Sequence, residues 1–341
     1  MAGVPIRVEG SASRPSAETG PMGAAPVTFF TIANAPYFPG LVGLVNSLRL
    51  VGHGDAIVVA DCGLDAAQRA LLAPHCTLFP MPRGAVANPT QYKPFPHLLA
   101  PKGIVVIIDS DMIVTRSLAE PIAAAARGKI AVFPDPDFDR WFGEWRDVFA
   151  LAAPPRHQVY ACAGFIAFST RHWPRLLPRW WEACARTSRH ATLQEGAADG
   201  PTAQGDQDAL NAVLMSEFPA DAIAYQPAEQ QAFKWQFRRV RLTDSATLRC
   251  RFRGEEPLIL HAAFPPKPWQ RRGVRWTVYL HLLRRLLTSP DVALRLPPRM
   301  LERWLRPDRR GELLCRVLSL MNATHPKRAV SLGRRVAKKF A

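Results

Sequence analysis

The sequence predicts an α/β fold in which a mostly parallel sheet lies between two layers of helices. Short apolar runs rich in β-branched residues alternate with longer amphipathic segments through residues 26–270, and this alternation is typical of βαβ units. One run, Ile104–Ile108, contains only Ile and Val. Because it does not alternate apolar and polar residues, it predicts a central strand that is covered on both faces.

Eight segments have the length and composition of strands, and turn residues separate them from their neighbours. In chain order the predicted strands are Val27–Ala33, Ala56–Asp61, Thr77–Met81, Ile104–Asp109, Ile130–Pro134, Val159–Phe168, Ile223–Tyr225 and Leu258–Ala263. Apolar residues at helical spacing lie between them and predict helices at Leu41–Leu50, Asp65–Leu72, Ser117–Ala126, Arg171–Ala185 and Gln207–Phe218. The polar and aromatic segment Asp135–Trp145 predicts a loop over a pocket.

Two acids, Asp109 and Asp111, follow the central apolar run and are separated by Ser110. In open α/β sheets, ligands gather at the carboxyl ends of the strands. Carboxylates two positions apart at such an end can lean to one side and share a cation. An isolated Asp-x-Asp is common, so further motifs must decide between a cation site and a plain acidic turn. No G-x-G-x-x-G follows the first strand and no G-x-x-x-x-G-K-[ST] is present, which argues against dinucleotide and P-loop sites.

Four other segments fall at predicted strand ends or helix starts and can face the same pocket. They are Thr31–Tyr37, Tyr160–Phe165, Gly205–Asn211 and His261–Trp269. Tyr37 could stack on a planar base, and Gly164 would let a ligand approach the backbone. His261 ends a predicted strand as a possible metal ligand, six residues before the cation of Lys267.

In this order the motifs resemble those of the family 8 glycosyltransferases, retaining enzymes of the GT-A fold that include glycogenin and lipopolysaccharide galactosyltransferases. The resemblance covers Val27–Trp269. It implies a GT-A-type nucleotide-diphospho-sugar transferase fold and a metal-dependent hexosyltransferase. Such an enzyme would move a hexose from a UDP-sugar to a glycan or lipid-linked acceptor with retention. Both front-face attack and a short-lived covalent intermediate remain open.

The resemblance also implies roles for individual residues. A manganese ion, with magnesium as the alternative, would be held by Asp109, Asp111 and His261. The catalytic group would comprise Asp206, Gln207, Asp208 and Lys267, and the donor-binding group Ala33, Asn34, Tyr37, Lys93, Ser110, Cys162, Ala163, Gly164 and Trp269. Cys162 stands where the family has an asparagine, and Phe264 replaces a family glycine. A thiol replaces an amide poorly, so the donor sugar stays open.

The implied chemistry is consistent with the residue types. Cleavage of a sugar–phosphate bond expels a diphosphate, so catalysis needs positive charge held against the leaving oxygens. A divalent Lewis acid and Lys267 would supply that charge. Two carboxylates and one imidazole favour Mn²⁺ over an ion that prefers oxygen ligands alone.

The formal charge of +16 is concentrated in the tail. Residues 270–341 contain 18 Lys and Arg against 4 Asp and Glu, whereas residues 1–269 are nearly neutral. We therefore divide the chain into a disordered leader (1–25), a catalytic domain (26–270) and a basic helical extension (271–341). Within the extension, the segment from Trp276 to Leu287 is amphipathic. It predicts either contact with an anionic membrane or packing on the body.

Cysteine usage and hydropathy bear on location. Six cysteines are scattered without a C-x-x-C pair, which predicts reduced thiols rather than a zinc site. No apolar run approaches the ~18 residues of a membrane span. These features predict a cytoplasmic protein, with peripheral attachment to the inner face of the cell membrane as the open alternative.

Two other functions compete with glycosyl transfer. A haloacid-dehalogenase-type phosphohydrolase also places Asp-x-Asp after an apolar strand, but its later acidic motif would require an acid where Leu210 stands. A non-enzymatic protein that binds nucleic acid or membrane would account for the tail charge. The charge is confined to one end and the body lacks interleaved aromatic and basic residues, which argues against nucleic acid.

Overall fold

A computed structural model describes residues 25–81, 89–187 and 200–324. Its strands are β1 Val27–Ala33, β2 Ala56–Asp61, β3 Thr77–Pro80, β4 Ile104–Ile108, β5 Met112–Val114, β6 Ile130–Pro134, β7 Ala161–Ser169, β8 Ile223–Tyr225, β9 Gln231–Phe233, β10 Arg241–Asp244, β11 Arg249–Arg251 and β12 Ile259–His261. Its α-helices are α1 Phe38–Leu50, α2 Ala66–Leu72, α3 Ala119–Ala126, α4 Trp145–Val148, α5 Leu176–Arg186, α6 Asp206–Glu217, α7 Val278–Thr288 and α8 Arg309–Thr324. The predicted leader lies almost entirely outside the described residues.

The main sheet has seven strands in the order β3-β2-β1-β4-β7-β6-β8. All neighbouring pairs are parallel except the two that involve β7, which is antiparallel to both β4 and β6. The predicted mostly parallel sheet between helices is therefore confirmed. In β4, Val106 packs into a core with α1 and α7, while Val105 packs into a second core with α5 and α6. The unbroken apolar run thus has the two covered faces that its composition predicted.

Two smaller sheets complete the fold: β10 pairs with β11, and β12 lies between β5 and β9. The sequence analysis predicted β12 within Leu258–Ala263 but missed the other four strands. Those strands have only three or four residues, which leaves too little periodicity to detect. The β5-β12-β9 sheet matters for the site because its register places His261 opposite Met112, directly after Asp111.

Two predicted helix starts were wrong, one too late and one too early, and a proline lies near each of them. α1 begins at Phe38 rather than Leu41, with Pro39 in its first turn, where the missing N–H costs nothing. α5 begins at Leu176 rather than Arg171. Pro174 disfavours helical backbone in the residue before it, so the helix starts after that proline.

The basic extension packs on the body through α7. Six apolar side chains of this helix are buried: Tyr279, Leu280, Leu282, Leu283, Leu286 and Leu287. Asn46 of α1 donates to the carbonyls of Leu286 (2.6 Å) and Leu294 (2.7 Å) and accepts from Leu294 N–H. The amphipathic pattern of α7 therefore reflects packing and not a membrane-facing surface. Residues 327–339, which contain six of the basic residues counted in the extension, lie outside the described residues. Among the described residues no helix is both long and apolar enough to cross a bilayer.

We expect Leu283→Ala to reduce the free energy of unfolding by about 2–5 kcal/mol, because Leu283 is fully buried between α7 and α1. Leu320→Ala, at an exposed position of α8, is the matched control and should change it by less than about 0.5 kcal/mol. Urea unfolding measures both. Equal losses in the two variants would contradict the packing of α7 on the body.

Candidate active site

A cavity of about 390 Å³ opens at the carboxyl ends of β1, β4 and β6. Thirteen of the sixteen site residues expected from the sequence line it. They are Ala33, Asn34, Tyr37, Lys93, Asp109, Ser110, Asp111, Cys162, Gly164, Asp206, Gln207, His261 and Lys267. Segments that are distant in sequence therefore meet in one pocket, at the sheet edge where α/β folds bind ligands.

Asp109, Asp111 and His261 form a compact group of metal-ligating side chains. One ligand atom from each lies within 4.8 Å of the others. His261 Nε2 is 3.3 Å from Asp111 Oδ1 and 3.7 Å from Asp109 Oδ2. Gln231 on β9 lies beside the other ring nitrogen, with its Nε2 3.1 Å from His261 Nδ1. The small sheet thus fixes the imidazole next to the two carboxylates.

Gly164 has no side chain, and this leaves room for the side chains of Asp109 and His261. A Cβ at that position would lie 2.8 Å from His261 Cε1, 3.1 Å from Asp109 Oδ2 and 2.6 Å from Met112 Cε. The carbonyl oxygen of Gly164 also accepts a hydrogen bond from the N–H of Asp109 at 2.9 Å. A glycine is therefore required here for close approach, which is a different reason from the ligand contact that the sequence analysis expected.

Two buried lysines neutralise the acids of the pocket. The ammonium group of Lys93 lies 3.0 Å from both Asp109 Oδ1 and Asp206 Oδ2 and donates to the carbonyl of Ala163. The ammonium group of Lys267 contacts Asp111 Oδ2 and donates to the carbonyl of Ala262 at 3.0 Å. Each lysine therefore bridges a carboxylate and a strand end.

Burial and neighbouring charges shift the pKa values of Asp109 and Asp111 in opposite directions. Burial raises the pKa of Asp109 and outweighs the opposing effect of the Lys93 ammonium group. Burial would also raise the pKa of Asp111, but Lys267 and His261 hold it well below its usual range. Asp111 is thus ionised throughout the ordinary pH range.

Gln207, in the first turn of α6, has its side-chain amide held by three hydrogen bonds. Its Oε1 accepts from Ala163 N–H at 2.9 Å, and its Nε2 donates to Asp135 Oδ2 (3.0 Å) and Gln204 Oε1 (2.7 Å). Burial raises the pKa of Asp135 to about 6. The amide therefore has one orientation, with its oxygen toward β7.

Asp208 does not line the cavity, contrary to its expected place beside the donor sugar. Its carboxylate is fully buried and accepts from Arg140 Nε (2.7 Å), Arg140 Nη2 (2.8 Å), Tyr160 OH (2.7 Å) and the N–H of Gln204 (2.8 Å). These bonds tie the segment after β6 to the start of α6. The geometry gives Asp208 a positioning role.

Ala163 and Trp269 also lie behind the cavity wall. Ala163 contributes only its backbone, to Lys93 and Gln207. Trp269 packs edge-on against Tyr37, with ring centroids 6.0 Å apart, and its Nε1 donates to the carbonyl of Pro36 at 2.9 Å. Cys162 faces the cavity, but burial raises the pKa of its thiol far above the usual value. The thiol stays protonated and is no nucleophile.

The sequence analysis missed several pocket residues as site residues. Asp135 and Gln204 hold the amide of Gln207, and Phe233 and Phe264 form part of the wall. Asp135 directly follows β6, which runs parallel to β4, so its position after a predicted strand could have marked it as a site residue. Phe233 ends the three-residue strand β9, for which the sequence offered none.

Comparison with solved structures assigns the fold. An active-site mutant of LgtC superposes with a TM-score of 0.51 at 18% identity, covering 77% of this chain and 98% of LgtC. The apo structure of the bifunctional glycosyltransferase WbbM superposes with a TM-score of 0.51 at 17% identity, covering 78% of this chain and 50% of WbbM. The chain has the GT-A fold. No protein-family model matches it, and no curated protein matches it in sequence.

The GT-A fold agrees with the fold class that the motifs predicted. It does not support the haloacid-dehalogenase alternative, which relied only on an acidic motif after an apolar strand. At these identities the likeness concerns the fold, so the activity must be argued from the pocket itself.

The raised pKa of Asp135 predicts a pH-dependent loss of stability that is absent in Asp135→Asn. The unfolded carboxyl releases its proton near pH 4 and the folded one near pH 6. The folded state therefore binds more protons between these values, and its stability falls as pH rises. We expect the free energy of unfolding of Asp135→Asn, minus that of the original chain, to increase by roughly 2 kcal/mol from pH 4 to pH 7. Urea unfolding at several pH values measures this, with the exposed Asp139→Asn as control. Parallel pH profiles for the original chain and Asp135→Asn would refute the shift.

Proposed function

We propose that this chain is a metal-dependent glycosyltransferase of the family 8 type. It would move a hexose, with retention, from a nucleotide diphosphate sugar to a hydroxyl group of a glycan or lipid-linked acceptor. We further propose UDP as the nucleotide. The supporting observation is that Asp109, Asp111 and His261 converge in a cavity that also contains the ammonium group of Lys267.

The chemistry of the donor set supports a divalent cation. Asp111 Oδ1 is buried and accepts no hydrogen bond, although it lies 3.3 Å from His261 Nε2. A buried carboxylate oxygen without a partner is costly, and a cation held by Asp109, Asp111 and His261 would remove that cost. Two carboxylates and one imidazole suit Mn²⁺, with Mg²⁺ as the alternative. When bound, the ion would act as a Lewis acid on the diphosphate leaving group.

Lys267 is the chain's own positive charge for that leaving group. Its ammonium group lies within the cavity wall and 5.2 Å from the centre of the Tyr37 ring. A fixed ammonium stabilises negative charge that develops on departing phosphate oxygens. Tyr37 presents an aromatic ring at the same edge, which supports base stacking as its role.

The sugar would lie between Lys93 and the first turn of α6. Asp206 pairs with Lys93 there, and the amide of Gln207 has its oxygen oriented by Ala163 N–H. These groups can bind sugar hydroxyls, and the Gln207 oxygen can stabilise positive charge at the reacting carbon. Asp208, saturated by Arg140, Tyr160 and Gln204, is unsuited to be a nucleophile.

The composition of residues 271–341 left membrane contact and packing on the body as alternatives, and α7 packs on the body. A non-enzymatic role in binding anionic surfaces would explain that charge but not the buried acids, lysines and imidazole. The experiments on the pocket therefore use nucleotide binding and turnover as readouts.

We expect Asp109→Asn and Asp111→Asn each to lower UDP-sugar turnover by more than about 100-fold, because loss of an outer-shell partner alone costs about 10- to 100-fold in metal sites. Both should also abolish the Mn²⁺-dependent rise in melting temperature that UDP produces in the original chain. Asp139→Asn, an exposed acid in the neighbouring loop, is the control and should retain both properties. A Mn²⁺–UDP shift that survives in the Asp variants would contradict the assignment.

Lys267→Met separates the role of the lysine from that of the metal. We expect turnover to fall by about 10²- to 10³-fold, the usual cost of losing one group that stabilises a developing anion. Mn²⁺ should bind at least as tightly without nucleotide, because the competing ammonium group has left Asp111. Isothermal titration with Mn²⁺ alone and steady-state kinetics measure the two effects. Loss of Mn²⁺ binding together with turnover would assign Lys267 to metal-site structure instead.

A further inference from the structure

Within the described ranges, helix α8 is held to the body by one side. On that side Cys315 is buried, and Gly311 fits where a Cβ would lie 2.4 Å from the carbonyl oxygen of Arg306. Asn322 donates to the carbonyls of Arg271 (2.9 Å) and Val274 (3.0 Å), and Ser319 Oγ accepts from Trp276 N–H at 2.7 Å. These contacts fix the rotation of the helix about its own axis.

The opposite side of α8 presents large apolar side chains to solvent. Leu313, Val317 and Leu320 occupy positions i, i+4 and i+7, which share one face of a helix, and Leu313 and Leu320 are 64% and 69% exposed. We call these three residues the α8 face. Leu314 and Met321 at its edges are also exposed. Because the inward contacts fix the helix, this face cannot turn toward the core.

Positive charge surrounds the α8 face. Arg309, Arg310 and Arg316 are exposed, and the Arg316 guanidinium lies 4.8 Å from the ring centre of Trp276, which is itself 44% exposed. The one acid within the described part of the helix, Glu312, is paired with Arg316. The chain after the helix, residues 325–341, adds six Lys and Arg and no Asp or Glu.

We propose that the α8 face binds the surface of an anionic lipid membrane. Leucine and valine flanked by arginine, with tryptophan at the edge, suit the boundary between acyl chains and acidic headgroups. A row of three side chains falls well short of the about 800 Å² that each partner of a stable protein complex buries. The proposal moves membrane contact from α7, whose apolar side chains are buried, to α8, and it does not depend on glycosyl transfer.

The test is flotation of the full chain with vesicles of phosphatidylcholine alone or with 30% phosphatidylglycerol. The original chain should bind the acidic vesicles and bind neutral ones at least about 10-fold less. The double variant Leu313→Gln/Leu320→Gln should lose at least about 10-fold in binding to acidic vesicles. It keeps residues 325–341, so a loss would report the α8 face and not the following charge. Leu98→Gln, at a leucine that is 48% exposed elsewhere on the surface, is the matched control.

Three results would overturn the proposal. The first is unchanged binding of the double variant to acidic vesicles. The second is equal binding of the original chain to both vesicle types. The third is a dimer in size-exclusion chromatography that the double variant dissociates while neither protein floats with vesicles, because a second copy of the chain would then cover the face. Melting temperatures should stay equal among the variants, since both leucines are exposed.

Discussion

Burial of carboxylates is the constraint around which this pocket is organised. Asp109, Asp111 and Asp206 lie close together in the pocket, and the ammonium groups of Lys93 and Lys267 form ion pairs with them. An uncompensated buried carboxylate costs several kcal/mol. Removing one of the lysines would therefore leave an unpaired buried charge and destabilise the pocket. Asp111 Oδ1 is buried without a hydrogen bond, and Asp206 Oδ2 is buried with only its ion pair to Lys93. Negative charge is thus in excess at the point where Asp109 and His261 also converge, and a divalent cation would balance it.

The topology explains how residues so far apart in sequence meet. The parallel strands β1, β4 and β6 end at the same edge and deliver Asn34, Asp109 and Asp135. The small sheet then turns back, and the register of β12 against β5 places His261 beside Asp111. Lys267 follows six residues later, within reach of the same carboxylate. Two sheets, rather than one motif, therefore build the candidate metal site.

The sequence could predict what strong local patterns encode. The Ile104–Ile108 run defined a central strand, and the acids after it, with the later histidine and lysine, defined most of the pocket. It could not predict the three-residue strands β5 and β9, whose existence depends on pairing. The sequence also could not predict that Asp208 lies outside the pocket. Its hydrogen-bond partner Arg140 is 68 residues away in the chain. α7 was ambiguous for a physical reason, since an amphipathic helix has the same pattern whether a protein core or a lipid surface covers its apolar side.

The basic extension and the pocket are physically connected, which limits how their roles can be separated. Tyr279 of α7 donates its hydroxyl hydrogen to the carbonyl oxygen of Asp111 at 2.9 Å, and Trp304 donates to the carbonyl of Trp269 at 3.1 Å. Deleting residues 271–341 would therefore remove support from a candidate metal ligand and from the residue behind Tyr37. Any loss of lipid binding in such a truncation would be confounded with damage to the pocket. The α8 face lies on the outer side of its helix, so substitutions there leave these buried contacts intact and can separate surface attachment from catalysis.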